Sequence, residues 1–211
     1  MTKKVAFLFP GQGSQAVGMG KDLYETSESA KQVFDTADEV LGKSITTMCF
    51  EGPEEALKQT VNTQPSIVTM SIAALEALKD KCEVIPSYVA GHSLGEYCAM
   101  YASGVMSLEN TLKAIQKRAD LMGSAKGGAM SAVLNASEEA LKEALKDASE
   151  VGYVDVANYN SPAQVVITGD EAAVAKAGGL LLAKGARRVV PLPVSGAFHP
   201  KFMEQAGKEF E

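Results

Sequence analysis

No stretch of the sequence approaches the ~18 consecutive apolar residues that a membrane-spanning helix needs. The opening MTKKVAFLF imitates a signal peptide, but its apolar run lasts only from Val5 to Phe9 before PGQGSQ breaks it, too short for a signal core. There is no Lys/Arg-rich run, and the formal net charge of −6 argues against a nucleic-acid partner. The three cysteines, Cys49, Cys82 and Cys98, are odd in number and lack CxxC or metal-ligand spacing. They read as free thiols of a reducing compartment, with no metal site. Repeats and low-complexity tracts are absent as well. Together these absences predict a cytoplasmic protein with no membrane segment.

What remains is an ordinary globular chain of 211 residues, 46% hydrophobic and 22% charged, long enough for a core without staples. KKVAFLFP reads as a fully buried strand closed by Pro10-Gly11. Ser29 to Leu41 carries Ala30, Val33, Phe34, Ala37 and Leu41 at helical spacing. Pro65 to Leu78 is apolar nearly all round, which predicts a buried helix packed on a sheet. PSYVAGHS reads as a second buried strand, followed by helices from Leu94 to about Ser103 and from Leu108 to Met122. From Gly127 the pattern changes. AMSAVLN, VDVANYN, QVVITGD and RRVVPLPV read as strands, SEEALKEALKDAS as a helix capped by Ser137, and EAAVAKAGGLLLAKG as a helix ended by Gly185. That order, βαββαβ, is the ferredoxin-like arrangement. The fold class is therefore α/β, with a small lobe at 127–193 inserted into a larger lobe formed by 1–126 and 194–211. HPKFMEQAGKEFE reads as a final helix. Two strands are few for an α/β layer, so the large lobe is expected to be incomplete at its C-terminus.

VAGHSLGEYCAM sets one serine between Gly91 and Gly95, after a strand and before a helix. Strand–Gly-x-Ser-x-Gly–helix is the nucleophile-elbow pattern, in which the serine occupies a sharp turn and side chains two positions away would collide with the flanking elements. The pattern serves equally a turn with a capping serine; the strand and helix around it favour a nucleophile, Ser93. The following helix aims free N–H groups, starting with Leu94, at charge developing beside the hydroxyl.

The chain has two histidines. His92 adjoins Ser93 on a sharp turn where neighbouring side chains diverge, so it reads as a packing or hydrogen-bonding group. By elimination His199, in SGAFHP, is the candidate base. No carboxylate between the two lies at an obvious large-lobe strand end, which leaves a dyad oriented by a backbone carbonyl. PGQGSQA matches GxGxxA after a strand, but Asp35 and Asp38 lie on an amphipathic helix rather than closing a second strand, so a dinucleotide site is disfavoured. The loop reads as an ordinary tight turn or as backbone lining, with the Gln12 N–H as a second oxyanion donor. Arg118 has Ala114 and Met122 at i±4 and so no acidic partner on its own helix. It is either a solvent-facing charge or a fork suited to a carboxylate.

FLFPGQGSQ, GHSLGEY, NYNSPAQVVITG and PLPVSGAFH, in this order, closely resemble the malonyl-CoA:acyl carrier protein transacylase family of fatty-acid synthesis across essentially the whole chain. The resemblance implies an α/β-hydrolase-like lobe with a ferredoxin-like insert, and a monomer when full length. It implies Ser93 as nucleophile, His199 as its partner, and Gln12 and Leu94 as oxyanion-hole amides. Arg118 would pair with the malonyl carboxylate, Gln64 would line the site, and Asn160 would stand at the lobe interface. GAFH resembles members that select malonyl over methylmalonyl units, with Phe198 crowding a branched α-carbon. No metal or redox cofactor is implied; malonyl-CoA is a substrate, and phosphopantetheine arrives on an acyl carrier protein. Arg187, Arg188 and Lys201 are candidates for docking that acidic partner. Two departures stand out: family members continue beyond Glu211 with further large-lobe strands, and Pro200 follows His199 where a small hydroxyl residue is usual. The competing expectations are a serine esterase or thioesterase using the same elbow, and an incomplete fragment that binds CoA or carrier protein without turnover.

Overall fold

The computed structural model describes residues 4–124, 127–192 and 200–210. It divides into two compact units, Met1–Asp120 and Leu121–Glu211. In chain order the elements are β1 (Ala6–Phe9), α1 (Lys21–Thr26), α2 (Glu28–Leu41), α3 (Ile45–Glu51), α4 (Glu54–Leu57), α5 (Thr60–Lys81), β2 (Tyr88–Gly91), α6 (Gly95–Ala102) and α7 (Leu108–Ser124). There follow β3 (Ala129–Leu134), α8 (Glu138–Ala148), β4 (Val154–Ser161), β5 (Gln164–Gly169), α9 (Glu171–Ala183), β6 (Arg188–Pro191) and α10 (Pro200–Phe210). This is an α/β fold.

In the first unit β1 and β2 pair in parallel, with Phe9 opposite Gly91. The apolar run of β1 is not buried on both sides as its sequence predicts. Phe7 and Phe9 turn into the helical core, while Leu8 is 77% exposed and Tyr88 on β2 is 61% exposed. The reason is coverage: among the described residues the sheet has these two strands, and α6 packs against them, leaving the outward-pointing residues open. An unbroken apolar run normally marks a strand covered on both faces.

Ser27 caps α2, its hydroxyl accepting from the Ala30 N–H at 3.2 Å, so the helix begins one residue earlier than the periodicity suggests. A larger difference concerns α5. It starts at Thr60, not Pro65, and carries the proline inside its second turn. Proline has no N–H to give to the carbonyl four residues back, so the Val61 oxygen is orphaned. It accepts instead from Lys43 Nζ at 3.1 Å and from Gln116 Nε2 of α7 at 3.5 Å. Burial lowers the Lys43 pKa, partly opposed by Asp120. With that carbonyl satisfied, α5 runs through the core, burying Ile67, Val68, Ile72 and Leu75 together with Gln64.

The second unit has the sheet order β4-β5-β3-β6, with every pair antiparallel. Its core joins Val133, Val154 and Ile167 of the sheet to Leu141 and Ala144 of α8 and Val174, Ala177 and Leu181 of α9. The Ser137 hydroxyl accepts from the Ala140 N–H at 3.1 Å, capping α8 as its sequence predicts. Pro200 stands at the first position of α10, where its lack of an N–H costs nothing. The expected return from the small lobe at 194 lies outside the described residues.

Candidate active site

Ser93 sits between β2 and α6 with φ 55°, a left-handed conformation that an L-residue adopts at a cost of roughly 1–2 kcal/mol. The two glycines make this turn sterically possible. A Cβ on Gly91 would overlap the backbone carbonyl of Gly95, and one on Gly95 would stand 2.5 Å from the Phe9 oxygen and 2.7 Å from the Pro10 oxygen. The elbow is therefore folded against itself and against the end of β1. The His92 N–H donates to the Phe9 carbonyl at 3.0 Å, tying the turn to the PGQG loop. The His92 ring lies against Gly11, at the place a Cβ there would occupy.

Leu94 is 1% exposed and begins the turn of helix whose amides follow Ser93. The Gly95 N–H is taken by the His92 carbonyl and the Glu96 N–H by the Ser93 carbonyl. Among the described residues the Leu94 and Gln12 amides donate to nothing. The Gln12 side chain reaches Thr60 Oγ1 at 3.4 Å, anchoring its loop on the first turn of α5.

Arg118 projects from α7 to the same place. Its Nη2 donates to Ser93 Oγ at 2.9 Å, and its Nη1 donates to Gln64 Oε1 at 2.6 Å. Gln64 is fully buried on α5, so the guanidinium is held from below by a fixed amide. Burial pulls the Arg118 pKa down, and nearby Tyr97 and Glu96 partly restore it. No carboxylate forms an ion pair with Arg118 among the described residues. A desolvated cation with donors presented to a reactive hydroxyl is a binding point for an anionic group.

Five of the residues named from the sequence, Gln12, Gln64, Ser93, Leu94 and Arg118, thus gather in the first unit. Asn160 is exposed near the end of β4 in the second unit. His199 and Phe198 lie outside the described residues. Tyr97 escaped the sequence reading: its ring lies 5.9 Å from the Arg118 guanidinium carbon. Its one sequence signal is its place four residues after Ser93, in the helix that follows the elbow. The described residues hold no group of three His, Cys, Asp or Glu side chains fit for a metal. No described helix is long and apolar enough to cross a membrane.

Residues 6–211 match the acyl transferase domain family. The chain is 44% identical over 212 residues to the malonyl CoA-acyl carrier protein transacylase of Bacillus subtilis, covering 99% of this chain and 67% of that protein. It is 46% identical over 207 residues to the enzyme of the same name from Synechocystis, with 98% and 68% covered. Among solved structures, an acyl carrier protein S-malonyltransferase from Vibrio cholerae superposes with a TM-score of 0.93 at 42% identity, covering 99% of this chain and 69% of that one. A malonyl-transacylase in complex with its type II PKS acyl-carrier protein superposes at 0.94 and 37% identity, with 99% and 68% covered. On a match that spans residues 6–211, the chain belongs to the acyl transferase domain family.

Proposed function

We propose that this chain transfers a malonyl group from malonyl-CoA to the phosphopantetheine thiol of an acyl carrier protein, through a malonyl ester on Ser93. The observation that carries the reading is the Arg118 guanidinium at 2.9 Å from the Ser93 hydroxyl oxygen, held by a buried glutamine and paired with no described carboxylate. An acyl group attached to Ser93 and ending in a carboxylate would place that charge within the arginine's reach. An uncharged acyl group would leave the desolvated cation without a partner.

In the first half-reaction Ser93 Oγ attacks the malonyl thioester carbon and gives its proton to His199. That role for His199 rests on the family resemblance and on its being one of only two histidines. The oxyanion is received by the Gln12 and Leu94 amides. The tetrahedral adduct then expels CoA, whose sulfur recovers the proton. In the second half the phosphopantetheine thiol attacks the ester by the reverse route and Ser93 is restored. Nucleophile, base and oxyanion donors are all protein groups, so the scheme needs no metal or redox cofactor. Phe198 would crowd a methyl branch on the α-carbon, an exclusion worth ~1–3 kcal/mol.

The finer fold reading supports this. The order β4-β5-β3-β6, with α8 and α9 packed in one core against it, supports a ferredoxin-like reading of the small lobe, and β1–β2 with the elbow supports an α/β-hydrolase-like reading of the large one. Arg187 and Arg188 are exposed and would offer charge to an acidic carrier. Such a reaction belongs to fatty-acid synthesis in the cytoplasm.

The test is transfer to a carrier protein bearing its phosphopantetheine. Malonyl-carrier should accumulate with malonyl-CoA as donor and fall severalfold with acetyl-CoA. Equal use of both donors, or release of free malonate with no carrier product, would favour an esterase.

A further inference from the structure

Arg118 donates from Nη1 to Gln64 and from Nη2 to Ser93, and two contacts at the terminal nitrogens leave the planar guanidinium free to tilt about its Cδ–Nε bond. The third constraint is the Tyr97 ring, 5.9 Å from the guanidinium carbon, on the helix that follows Ser93. Tyr97 is half-buried and packs against the main core, so the ring does not travel with solvent. We propose that Tyr97 is the positioning residue for anion recognition: its ring face supports the Arg118 guanidinium so that the donors left by Gln64 point at the acyl group on Ser93. This rests on the malonyl-transfer reading and extends it by one residue.

Three features make the assignment specific. Tyr97 lies in the first turn of α6, the helix that leaves the Ser93 elbow, so the ring sits on the element that directly follows the nucleophile. Gln64 and Ser93 each take one hydrogen bond, from Nη1 and Nη2, so a further support is needed at the face of the cation, where the Tyr97 ring lies. An aromatic face offers a cation attraction without offering it a competing hydrogen-bond acceptor there, so the arginine stays available to a carboxylate. The energetic scale of such a contact corresponds to about 2- to 30-fold in affinity.

The experiment compares the wild-type chain with Tyr97→Leu and Tyr97→Phe, using malonate and the uncharged acetamide as probes in calorimetric titrations and ¹⁵N NMR of the arginine side chain. In Tyr97→Leu the malonate-to-acetamide affinity ratio should fall by about 2- to 30-fold, and the separate Nη resonances of a hindered Arg118 should merge. Tyr97→Phe, which keeps the ring face, should retain both. An unchanged ratio and unchanged resonances in Tyr97→Leu would overturn the proposal, as would a loss in Tyr97→Phe equal to that in Tyr97→Leu. The two readings separate cleanly. A hindered Arg118 loosened only by leucine, in a protein that never prefers malonate, keeps the positioning role and removes the malonyl one. A wild-type malonate preference that survives Tyr97→Leu removes only the positioning role.

Discussion

Gln64→Glu changes one buried atom group and should abolish the distinction between acidic and neutral acyl groups. The side chains have nearly the same shape, so the glutamate oxygen would sit where Gln64 Oε1 sits, 2.6 Å from Arg118 Nη1. A carboxylate there forms a charge-assisted pair with a guanidinium that is otherwise paired with no described carboxylate. The arginine holds the new carboxyl ionised, so the site's net charge falls from positive to zero at neutral pH. A malonyl carboxylate arriving on the Nη2 side then meets a second anion across the fork. At a separation of about 6 Å and an effective dielectric of about 20, that repulsion is about 3 kcal/mol, near a hundredfold in malonate affinity. An acetyl group on Ser93 carries no charge and meets no such penalty. The assay is the rate of Ser93 loading from malonyl-CoA and acetyl-CoA, with malonate titration as a readout independent of turnover. Malonyl loading should drop about a hundredfold while acetyl loading changes little. Equal losses for both donors, with the protein folded, would refute the placement of Arg118 as the carboxylate receptor.

Gly95→Ala puts a methyl against the Phe9 and Pro10 carbonyl oxygens, where backbone must move. It should cost about 1–3 kcal/mol in urea unfolding and also remove Ser93 loading. Lys43→Met leaves the Val61 carbonyl, freed by Pro65, without its nearest donor, and should destabilise the chain by about 1–3 kcal/mol without changing donor preference. Burial pushes the Cys49 and Cys98 thiols up to about 12. Both should resist alkylation at pH 8.5 in the native chain while half-exposed Cys82 reacts, and all three should react after denaturation. Because these two acids hold their protons more tightly when folded, their contribution to stability is complete below the unfolded thiol pKa of about 8.5 and is lost as pH rises from there toward 12. Denaturant midpoints measured from pH 8 to pH 11 should therefore fall.

Much of this was written in local chemistry. The second unit's strand and helix order followed from alternation, from Ser137 ahead of an amphipathic run and from turn glycines, because each of those signals acts within a few residues. The elbow was local only in part: Gly91 is needed by its contact with Gly95, four positions on, whereas Gly95 is needed by the distant Phe9 and Pro10 carbonyls. What the sequence hid was set at longer range. α5 was expected to begin at Pro65, since proline normally opens or breaks a helix. Lys43 and Gln116, both distant in sequence, satisfy the carbonyl that the proline leaves free once the helix starts at Thr60. α1, α3 and α4 are too short to show a period. β1 and β2 carry the sequence of covered strands, yet coverage is a property of neighbours, and Leu8 and Tyr88 lack them. The link from Gln64 through Arg118 to Ser93 joins α5, α7 and the elbow, and nothing in the sequence around Arg118 separated a surface charge from a buried side chain. Tyr97 was invisible for the same reason.

The most direct measurement is the intact mass of the protein after brief exposure to malonyl-CoA, with fragmentation to locate any adduct. The expected result is one added malonyl group on Ser93 in the wild-type chain and none in a folded Ser93→Ala variant. A well-folded wild-type protein that gains no malonyl mass, or carries it elsewhere than on Ser93, would contradict the proposed acyl-serine route.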